Sequence, residues 1–278
     1  MKQKIEIPYS LSSMDLQNFV FEGTQTAWYK MGSGKPLLIL HGWGSSSAVM
    51  KPIAEKLKDI RTCYLIDFPG FGQSPEPPAA WDVDRYTDLT EAFIHQIIEA
   101  DSVDVLVHSY GNRVLLKLLS RSEIKQKIDK VIITGGAGLK PKRSMKYYFR
   151  KYTAKLLKAP FLILPNPLRD KGLNSLRRTK LWKMLGSSDY KQLSGVMRET
   201  FVKSVTEYLD DLLPQIEHEA LLVWGKNDTA TPLDQAYRMD KRLKNGVLVE
   251  IENAGHYAFL DQPQQFTAIC RAYLNPDS

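Results

Sequence analysis

The sequence predicts an α/β fold in which a mostly parallel sheet is covered by helices on both faces. Two observations predict it. Short, wholly apolar segments recur along the 278-residue chain, and apolar runs of this kind are typical of strands buried on both sides. Segments with apolar residues at helical spacing lie between them. A third observation indicates where the functional site lies. Polar and glycine-containing motifs follow these strands at their carboxyl ends, where ligand and active sites lie in such sheets.

The strands and helices alternate along the chain. An antiparallel pair, Phe19 to Phe21 and Thr26 to Met31, is predicted around the turn Glu22-Gly23-Thr24-Gln25. The later predicted strands are Leu37 to Leu40, Thr62 to Ile66, Val103 to Val107, Val131 to Ile133, Leu221 to Trp224 and Val247 to Ile251. The predicted helices are Ala48 to Leu57, Tyr86 to Glu99, Tyr110 to Ser120, Asp234 to Leu243 and Pro263 to Leu274.

The alternation stops after Thr134. From about Lys140 to Pro214 the chain has no clear strand pattern and is rich in Lys, Arg, Tyr and Leu. A stretch of this length is too long for a loop. We therefore predict a helical insertion over residues 139–214, placed within a core formed by residues 1–138 and 215–278.

One strand-to-helix corner is the most informative segment. The apolar strand Val103 to Val107 is followed by His108-Ser109-Tyr110-Gly111, and helical spacing begins directly afterwards. A serine at such a corner has its hydroxyl pushed out of the turn, next to backbone N–H groups of the helix start that can stabilise an oxyanion. This position predicts a nucleophile.

Two further residues complete a catalytic set. Asp228 follows the strand that ends near Trp224, and His256 follows the last strand. A serine needs a positioned base, and a carboxylate can fix the tautomer of that base. A turn aspartate or a loop histidine is common when it occurs alone. The three together, each after its own strand, favour Ser109 as nucleophile, His256 as base and Asp228 as acid.

With these motifs the chain resembles the α/β-hydrolase family over most of its length. The order serine, acid, histidine is that of the family. His41-Gly42-Trp43 resembles the family's oxyanion loop, and Asp67 to Ser74 resembles its D-x-x-G-x-G-x-S loop. The resemblance implies that the insertion is a cap over the active site. It also implies that the backbone N–H groups of Trp43 and Tyr110 form the oxyanion hole, while their side chains can shape the pocket.

One position departs from the family pattern. The elbow is usually G-x-S-x-G, and Val107 takes the place of the first glycine, so the helix must shift slightly or the elbow is less tight. We expect no catalytic role for His41 or for His108, which should face the sheet. The loop Asp67 to Ser74 should shape the pocket wall, and Asp261 should cap the last helix.

The resemblance also narrows the reaction. Dehalogenases and epoxide hydrolases of this fold carry aspartate at the elbow, so serine implies acyl transfer to water. The expected substrate is a small-molecule carboxylic ester, as in biotin-pathway methyl esterases. C–C bond hydrolases, aminopeptidases and lipid hydrolases of the same fold stay open, although Trp43 and Ser45 differ from the peptidase loop and Tyr257 replaces the tryptophan common in C–C hydrolases. A non-catalytic binding module is the alternative from another class, motivated by Val107.

Composition sets the remaining expectations. Cys63 and Cys270 fit two buried thiols better than a disulfide. The five histidines are scattered, and we expect neither a metal nor an organic cofactor. Met1 to Ser10 has no apolar core of a signal peptide, and no segment reaches the ~20 apolar residues that span a bilayer. A cytoplasmic location is the expectation.

The net charge of +7 is unevenly distributed. Lys140 to Tyr190 holds 14 basic and 2 acidic residues, whereas the rest of the chain holds 24 basic and 29 acidic residues. A run of charge is usually a solvated face, but a field of one sign beside a site also attracts substrates of the opposite charge. Candidate partners are an acidic carrier protein, an anionic small ester or an anionic membrane surface. No nucleic acid is expected, since no binding motif accompanies the charge.

Overall fold

Within the part of the chain that the structure describes, eight strands form a single sheet in the order β1-β2-β4-β3-β5-β6-β7-β8. In the computed structural model, which describes residues 15–142, 145–179, 193 and 195–275, β1 and β2 are joined to the rest by antiparallel pairing and all other neighbours are parallel. The predicted α/β class is confirmed. The strands are β1 Leu16–Phe21, β2 Thr24–Gly32, β3 Pro36–Leu40, β4 Thr62–Ile66, β5 Val103–His108, β6 Ile128–Thr134, β7 Glu219–Gly225 and β8 Asn245–Ile251.

Helices separate the strands where the sequence predicts them. The α-helices are α1 Ser47–Leu57, α2 Val83–Gln96, α3 Gly111–Ser120, α4 Met145–Leu162, α5 Asn166–Arg178, α6 Gly195–Thr206, α7 Leu233–Arg242, α8 Ala258–Asp261 and α9 Pro263–Leu274. Short 3₁₀-helices span Ile124–Lys127 and Asp210–Gln215. None of the helices within the described residues is long and apolar enough to cross a membrane.

Two compact units make up the chain. The core unit comprises Met1–Lys140 and Val202–Ser278, and the inserted unit comprises Pro141–Phe201. In the inserted unit, α4 and α5 contact each other. A Cβ atom at Gly172 would lie 2.3 Å from the ring of Phe161, so glycine permits this close packing of the two helices. That the insertion acts as a cap stays a prediction.

Apolar side chains line both faces of the sheet, and helices pack against them. Leu37 and Ile39 of β3 belong to a cluster that also includes residues of α1 and α9. Leu38 and Leu40, which alternate with them, are equally buried and point to the other face. There α3 lies so close that a Cβ at Gly111 would be 2.9 Å from the side chain of Leu40. The central strands therefore hold their carboxyl ends rigidly.

A buried ion cluster lies at the opposite, amino-terminal end of β5. Asp104 is fully buried, and its carboxylate accepts a hydrogen bond of 2.9 Å from Arg61 Nε. Lys35 Nζ lies 2.8 Å from the same carboxylate. The Arg61 guanidinium also donates to the carbonyl of Leu274 at the end of α9. The cluster thus joins two strands to the last helix.

The two cysteines are buried free thiols, as predicted. Cys63 lies in β4 and Cys270 in α9. Burial raises the pKa of the Cys63 thiol to about 12. A thiol with this pKa stays protonated at neutral pH and is a poor nucleophile.

Candidate active site

Ser109 occupies the corner between β5 and α3 with an unusual backbone. Its φ angle is +50°, a left-handed conformation that a non-glycine residue adopts only when its surroundings enforce it. They do so here through backbone hydrogen bonds: Ser109 N–H donates to Thr134 O, and Ser109 O accepts from Asn112 N–H and Ala137 N–H. The end of β6 therefore holds the turn that presents the serine hydroxyl.

Three predicted residues come together at the carboxyl ends of the strands. Ser109 Oγ lies 3.0 Å from His256 Nε2, and His256 Nδ1 lies 2.9 Å from Asp228 Oδ2. Ser109 follows β5, Asp228 follows β7 and His256 follows β8. Since a carboxylate can only accept, Nδ1 carries the proton, and Nε2 is left to accept the proton of the serine hydroxyl. This is the arrangement of a nucleophile, its base and an orienting acid.

The carboxylate of Asp228 is buried, and both of its oxygen atoms accept hydrogen bonds. Its Oδ1 accepts from the backbone N–H groups of Ala230 at 2.8 Å and Thr231 at 2.9 Å. Burial alone would raise the pKa of Asp228, but hydrogen bonds from His256 and Thr231 outweigh it and hold the pKa below its usual value. Asp228 is therefore ionised at neutral pH, as a residue that stabilises an imidazolium must be.

Thr231 is the residue that sequence reasoning missed. Its hydroxyl oxygen lies 2.8 Å from Asp228 Oδ2, 2.9 Å from the carbonyl oxygen of Gly135 and 3.3 Å from His256 Nδ1. Gly135 itself approaches the imidazole so closely that a Cβ there would lie 3.0 Å from Nδ1. The hydroxyl thus braces the acid and base against the end of β6. A threonine in a turn carries no sequence signal for this role.

His108 packs against the candidate base. Its ring centroid lies 4.7 Å from that of His256, and its Nε2 lies 3.0 Å from the backbone oxygen of His256. Burial, together with the nearby His256, lowers the pKa of His108 to about 3. The neutral ring donates from Nε2 to this carbonyl. The expectation that His108 faces the sheet missed this contact, which fixes the backbone of His256.

Gly42 brings the loop after β3 against the serine. A Cβ at this position would lie 3.0 Å from Ser109 Cβ and 2.9 Å from His108 Nδ1, so only glycine allows this approach. His41 fixes the loop: its Nδ1 donates to the Gly42 carbonyl at 2.8 Å, and its Nε2 accepts from Phe68 N–H at 3.0 Å. Burial lowers the pKa of His41. The ring therefore stays neutral and holds the loop through these two hydrogen bonds.

Trp43 and Tyr110 lie beside this loop and contact each other. Their ring centroids are 5.3 Å apart in an edge-on arrangement, and Trp43 also meets Phe71 at 4.9 Å. Tyr110 immediately precedes the first turn of α3, and its hydroxyl lies 3.2 Å from Ser204 Oγ. We call Trp43, Phe71 and Tyr110 the aromatic wall. It includes the residues that directly follow Gly42 and Ser109 in the sequence.

The loop that begins at Asp67 is organised by that carboxylate. Asp67 Oδ1 accepts from Ser47 N–H at 2.6 Å, at the start of α1, and Oδ2 accepts from Gln73 N–H at 2.9 Å. Gly72 is required because a Cβ there would lie 2.1 Å from Asp67 Oδ2. The carboxylate shapes the turn that carries Phe71 to the aromatic wall.

At two positions, Val107 and Asp261, the structure differs from what the sequence predicts. Val107 is a regular, fully buried residue of β5, paired with Leu40 and Ile133. The close approach of strand and helix comes instead at Gly111, where a Cβ would lie 2.8 Å from Leu40 O. The prediction that Asp261 caps the last helix is wrong. Its carboxylate accepts from Gly255 N–H at 2.7 Å and so supports the turn before His256.

Comparison with known proteins agrees with this fold. The chain matches the alpha/beta hydrolase fold family over residues 35–263. An AB hydrolase superfamily protein of Bacillus subtilis is 25% identical over 261 residues, covering 88% of this chain and 93% of the relative. A pimeloyl-[acyl-carrier protein] methyl ester esterase of Aliivibrio fischeri is 22% identical over 270 residues, covering 91% and 98%.

A solved structure shows the same fold. The crystal structure of a membrane phospholipase A, described as a novel bacterial virulence factor, superposes with a TM-score of 0.71 and 21% identity, covering 96% of this chain and 87% of that one. At this identity the likeness concerns the fold. The family match spans most of the sequence, and the mostly parallel sheet agrees with it. This chain therefore belongs to the α/β-hydrolase family.

Proposed function

We propose that this protein is a serine hydrolase that cleaves a small-molecule carboxylic ester through an acyl-enzyme. The observation that carries the proposal is the continuous chain from Ser109 Oγ to His256 Nε2 at 3.0 Å and from His256 Nδ1 to Asp228 Oδ2 at 2.9 Å. Serine is a poor nucleophile at neutral pH unless a positioned base accepts its proton. The lowered pKa of Asp228 supports its role as the anion that stabilises the resulting imidazolium.

The proposed reaction has two acyl-transfer steps. Ser109 Oγ attacks the ester carbonyl while His256 Nε2 takes the hydroxyl proton. The tetrahedral intermediate collapses as the alcohol leaves with that proton, which leaves an acyl-serine. Water then gives a proton to His256 and attacks the acyl-serine, and the acid departs as Ser109 regains its hydrogen.

The oxyanion would be held by backbone N–H groups of Trp43 and Tyr110. Tyr110 directly precedes the first turn of α3, where N–H groups lack helical partners. Gly42 brings the loop that carries Trp43 against Ser109. Donors preorganised in this way stabilise the developing negative charge more than they stabilise the neutral carbonyl.

The choice of an ester rests on similarity as well as on chemistry. One relative that matches 91% of this chain is named a pimeloyl-[acyl-carrier protein] methyl ester esterase. The solved phospholipase A shares the fold. A serine nucleophile whose proton is taken by a histidine suits the departure of an alcohol, because the histidine can return that proton to the leaving oxygen. The aromatic wall of Trp43, Phe71 and Tyr110 would accept an apolar acyl group.

Hydrolysis of short p-nitrophenyl esters tests the proposal. We expect wild-type turnover to exceed that of Ser109→Ala by ~10⁴-fold or more. Ser45→Ala is a matched control, because this serine is also buried near the site loop but takes no part in the triad. Equal, low rates for wild type and Ser109→Ala would refute the assignment.

A fluorophosphonate probe separates an enzyme from a binding module of the same fold. Stoichiometric labelling at Ser109 that disappears in Ser109→Ala supports an activated nucleophile. Folded wild-type protein that resists the probe would support the module instead.

A further inference from the structure

The turn between α4 and α5 exposes an unusual run of apolar side chains. Leu162 at the end of α4 is 58% exposed, and Ile163 in the turn is 85% exposed. Leu164 and Leu168 are exposed beside them. We call these four residues the apolar tip. Several large aliphatic side chains exposed together in one turn indicate an interaction site.

The exposed apolar surface continues along α4. Leu156 is 74% exposed, and Tyr152, one helical turn earlier, is exposed on the same face. Together with Ala159 they line a shallow hollow of about 500 Å³ whose surface is mostly apolar, with Lys155 at its side. The apolar tip is therefore one end of a longer apolar strip on the helical hairpin.

Lys155 places positive charge beside this strip, at the edge of the hollow. Lys155 and Lys171 are exposed, and the segment Lys140 to Tyr190 has 14 basic residues against 2 acidic ones. An amphipathic helix with aliphatic residues on one side and lysines around them is typical of segments that lie in the interface of an anionic bilayer. Juxtaposed lysines are attracted by the negative potential of such a surface.

At three positions in or next to the tip the backbone presents no free N–H group. Pro165 and Pro167 have no N–H group, and the N–H of Leu164 donates to Phe161 O at 3.3 Å. Each N–H that is absent or paired avoids the cost of removing an unpaired donor from water. Gly172 and Phe161 pack closely and hold the hairpin behind the tip.

We propose that the α4–α5 hairpin docks on an anionic lipid bilayer, with the apolar tip in the acyl region and the lysines at the headgroups. A hydrocarbon phase adapts to the shape of an exposed aliphatic turn, whereas a protein partner would have to supply a surface that matches it. Interfaces between proteins depend mainly on aromatic residues and arginine, and leucine is under-represented among their dominant contacts. The inference rests on the inserted unit alone and does not depend on ester hydrolysis.

Flotation with lipid vesicles tests the proposal on the full chain. We expect binding to vesicles of an equal mixture of phosphatidylcholine and phosphatidylglycerol at low salt, and much weaker binding to phosphatidylcholine alone. Replacing Leu162 and Ile163 by serine should lower the affinity for the anionic vesicles by about tenfold or more, because two aliphatic side chains are lost. Ser109→Ala should bind like wild type.

A matched control uses exposed valines of the core unit. Val20 is 62% exposed and Val247 is 61% exposed, so Val20→Ser with Val247→Ser removes similar apolar surface elsewhere and should leave binding unchanged. Reversing Lys155 and Lys171 to glutamate should weaken binding about tenfold or more at low salt, and the difference should shrink as salt rises. Circular dichroism and thermal unfolding verify that each variant is folded.

Three outcomes would overturn the proposal. The first is wild-type protein that does not float with anionic vesicles. The second is binding that falls on charge reversal but is unaffected by the Leu162 and Ile163 replacements, which would be adsorption by charge alone. The third is saturable binding of an acidic protein without lipid that requires the apolar tip while vesicles are ignored, which would identify a protein partner.

Discussion

The hydroxyl oxygen of Thr231 lies 2.8 Å from Oδ2 of Asp228, the oxygen atom that also accepts from His256. The same hydroxyl is 2.9 Å from the Gly135 carbonyl. It can therefore hold the carboxylate at a fixed distance from the end of β6. Thr231 touches the acid and the base rather than the substrate, so it is a positioning residue.

We expect Thr231→Val to lower kcat/KM about tenfold, because one hydrogen bond to the charged acid is lost while the backbone N–H of residue 231 still donates to Oδ1. Thr231→Ser keeps the hydroxyl and should restore most of the activity. The measurement is ester hydrolysis as a function of pH. A valine variant with wild-type kcat/KM across the range would show that the hydroxyl does not position the triad.

Asp228→Asn should abolish turnover while the fold persists. Two backbone N–H groups face Oδ1, so the amide oxygen of asparagine occupies that side and its NH₂ group faces His256. The imidazole must then accept at Nδ1 and carry its proton on Nε2, where it cannot act as a base toward Ser109. We expect a loss of ~10⁴-fold in kcat. Fluorophosphonate labelling should fall in parallel, with thermal unfolding changed far less.

Stability should decrease on acidification, and His108 should account for part of it. The folded pKa of about 3 lies below the value of ~6.5 in an unfolded chain. Between these values the unfolded state binds the extra proton, so this contribution is fully present above pH ~6.5 and is lost as pH falls toward 3. From pH 7 to pH 5 the loss from His108 is about 2 kcal/mol.

Urea unfolding at the two pH values measures this effect. His108→Gln should show a pH-dependent loss that is smaller by about 2 kcal/mol than that of wild type. His95, which is exposed on α2, provides the control: His95→Gln should keep the wild-type difference. An unchanged difference in His108→Gln would contradict the assignment.

The buried cluster at the start of β5 should matter for stability and little for catalysis. Asp104→Ala leaves Arg61 buried without its carboxylate, and we expect the free energy of unfolding to fall by about 3 to 5 kcal/mol. Asp129 also contacts Lys35 but is exposed, so Asp129→Ala should cost less than about 1 kcal/mol. The kcat per folded molecule should be unchanged in both, because the triad lies at the other end of the strands.

The basic segment leads to a prediction about substrates that carry negative charge. Reversing Arg143, Lys146, Arg150 and Lys151 to glutamate should lower kcat/KM for anionic esters while sparing small neutral ones, and wild-type kcat/KM for anionic esters should fall with salt. Arg143 and the side chains of the other three lie outside the described residues. If the charge-reversed variant and wild type have the same ratio of kcat/KM for anionic and neutral esters at low ionic strength, the charge does not attract substrate. The segment would then be a solvated basic surface.

The sequence was most informative where local pattern and tertiary position coincide. The segment Val103 to Val107 could be placed as a strand because four of its five residues are valine or leucine, which suit a buried parallel sheet, and Ser109 followed from its position at the corner. Asp261 was misassigned because an aspartate before Pro263 fits a cap equally well, and only the folded chain brings Gly255 N–H to its carboxylate. Thr231 was missed for the same reason.

The three residues of the candidate triad follow strands that lie far apart along the chain. His256 is 147 residues beyond Ser109, and its turn comes after the edge strand β8 has paired with β7. At synthesis rates of about 5–20 residues per second, the nucleophile waits roughly 7–30 s on the ribosome for its base. Under the proposed function, the growing chain therefore gains hydrolytic activity only when the sheet is complete. Recovery of the proposed ester hydrolysis during refolding would then report when β8 has paired with β7.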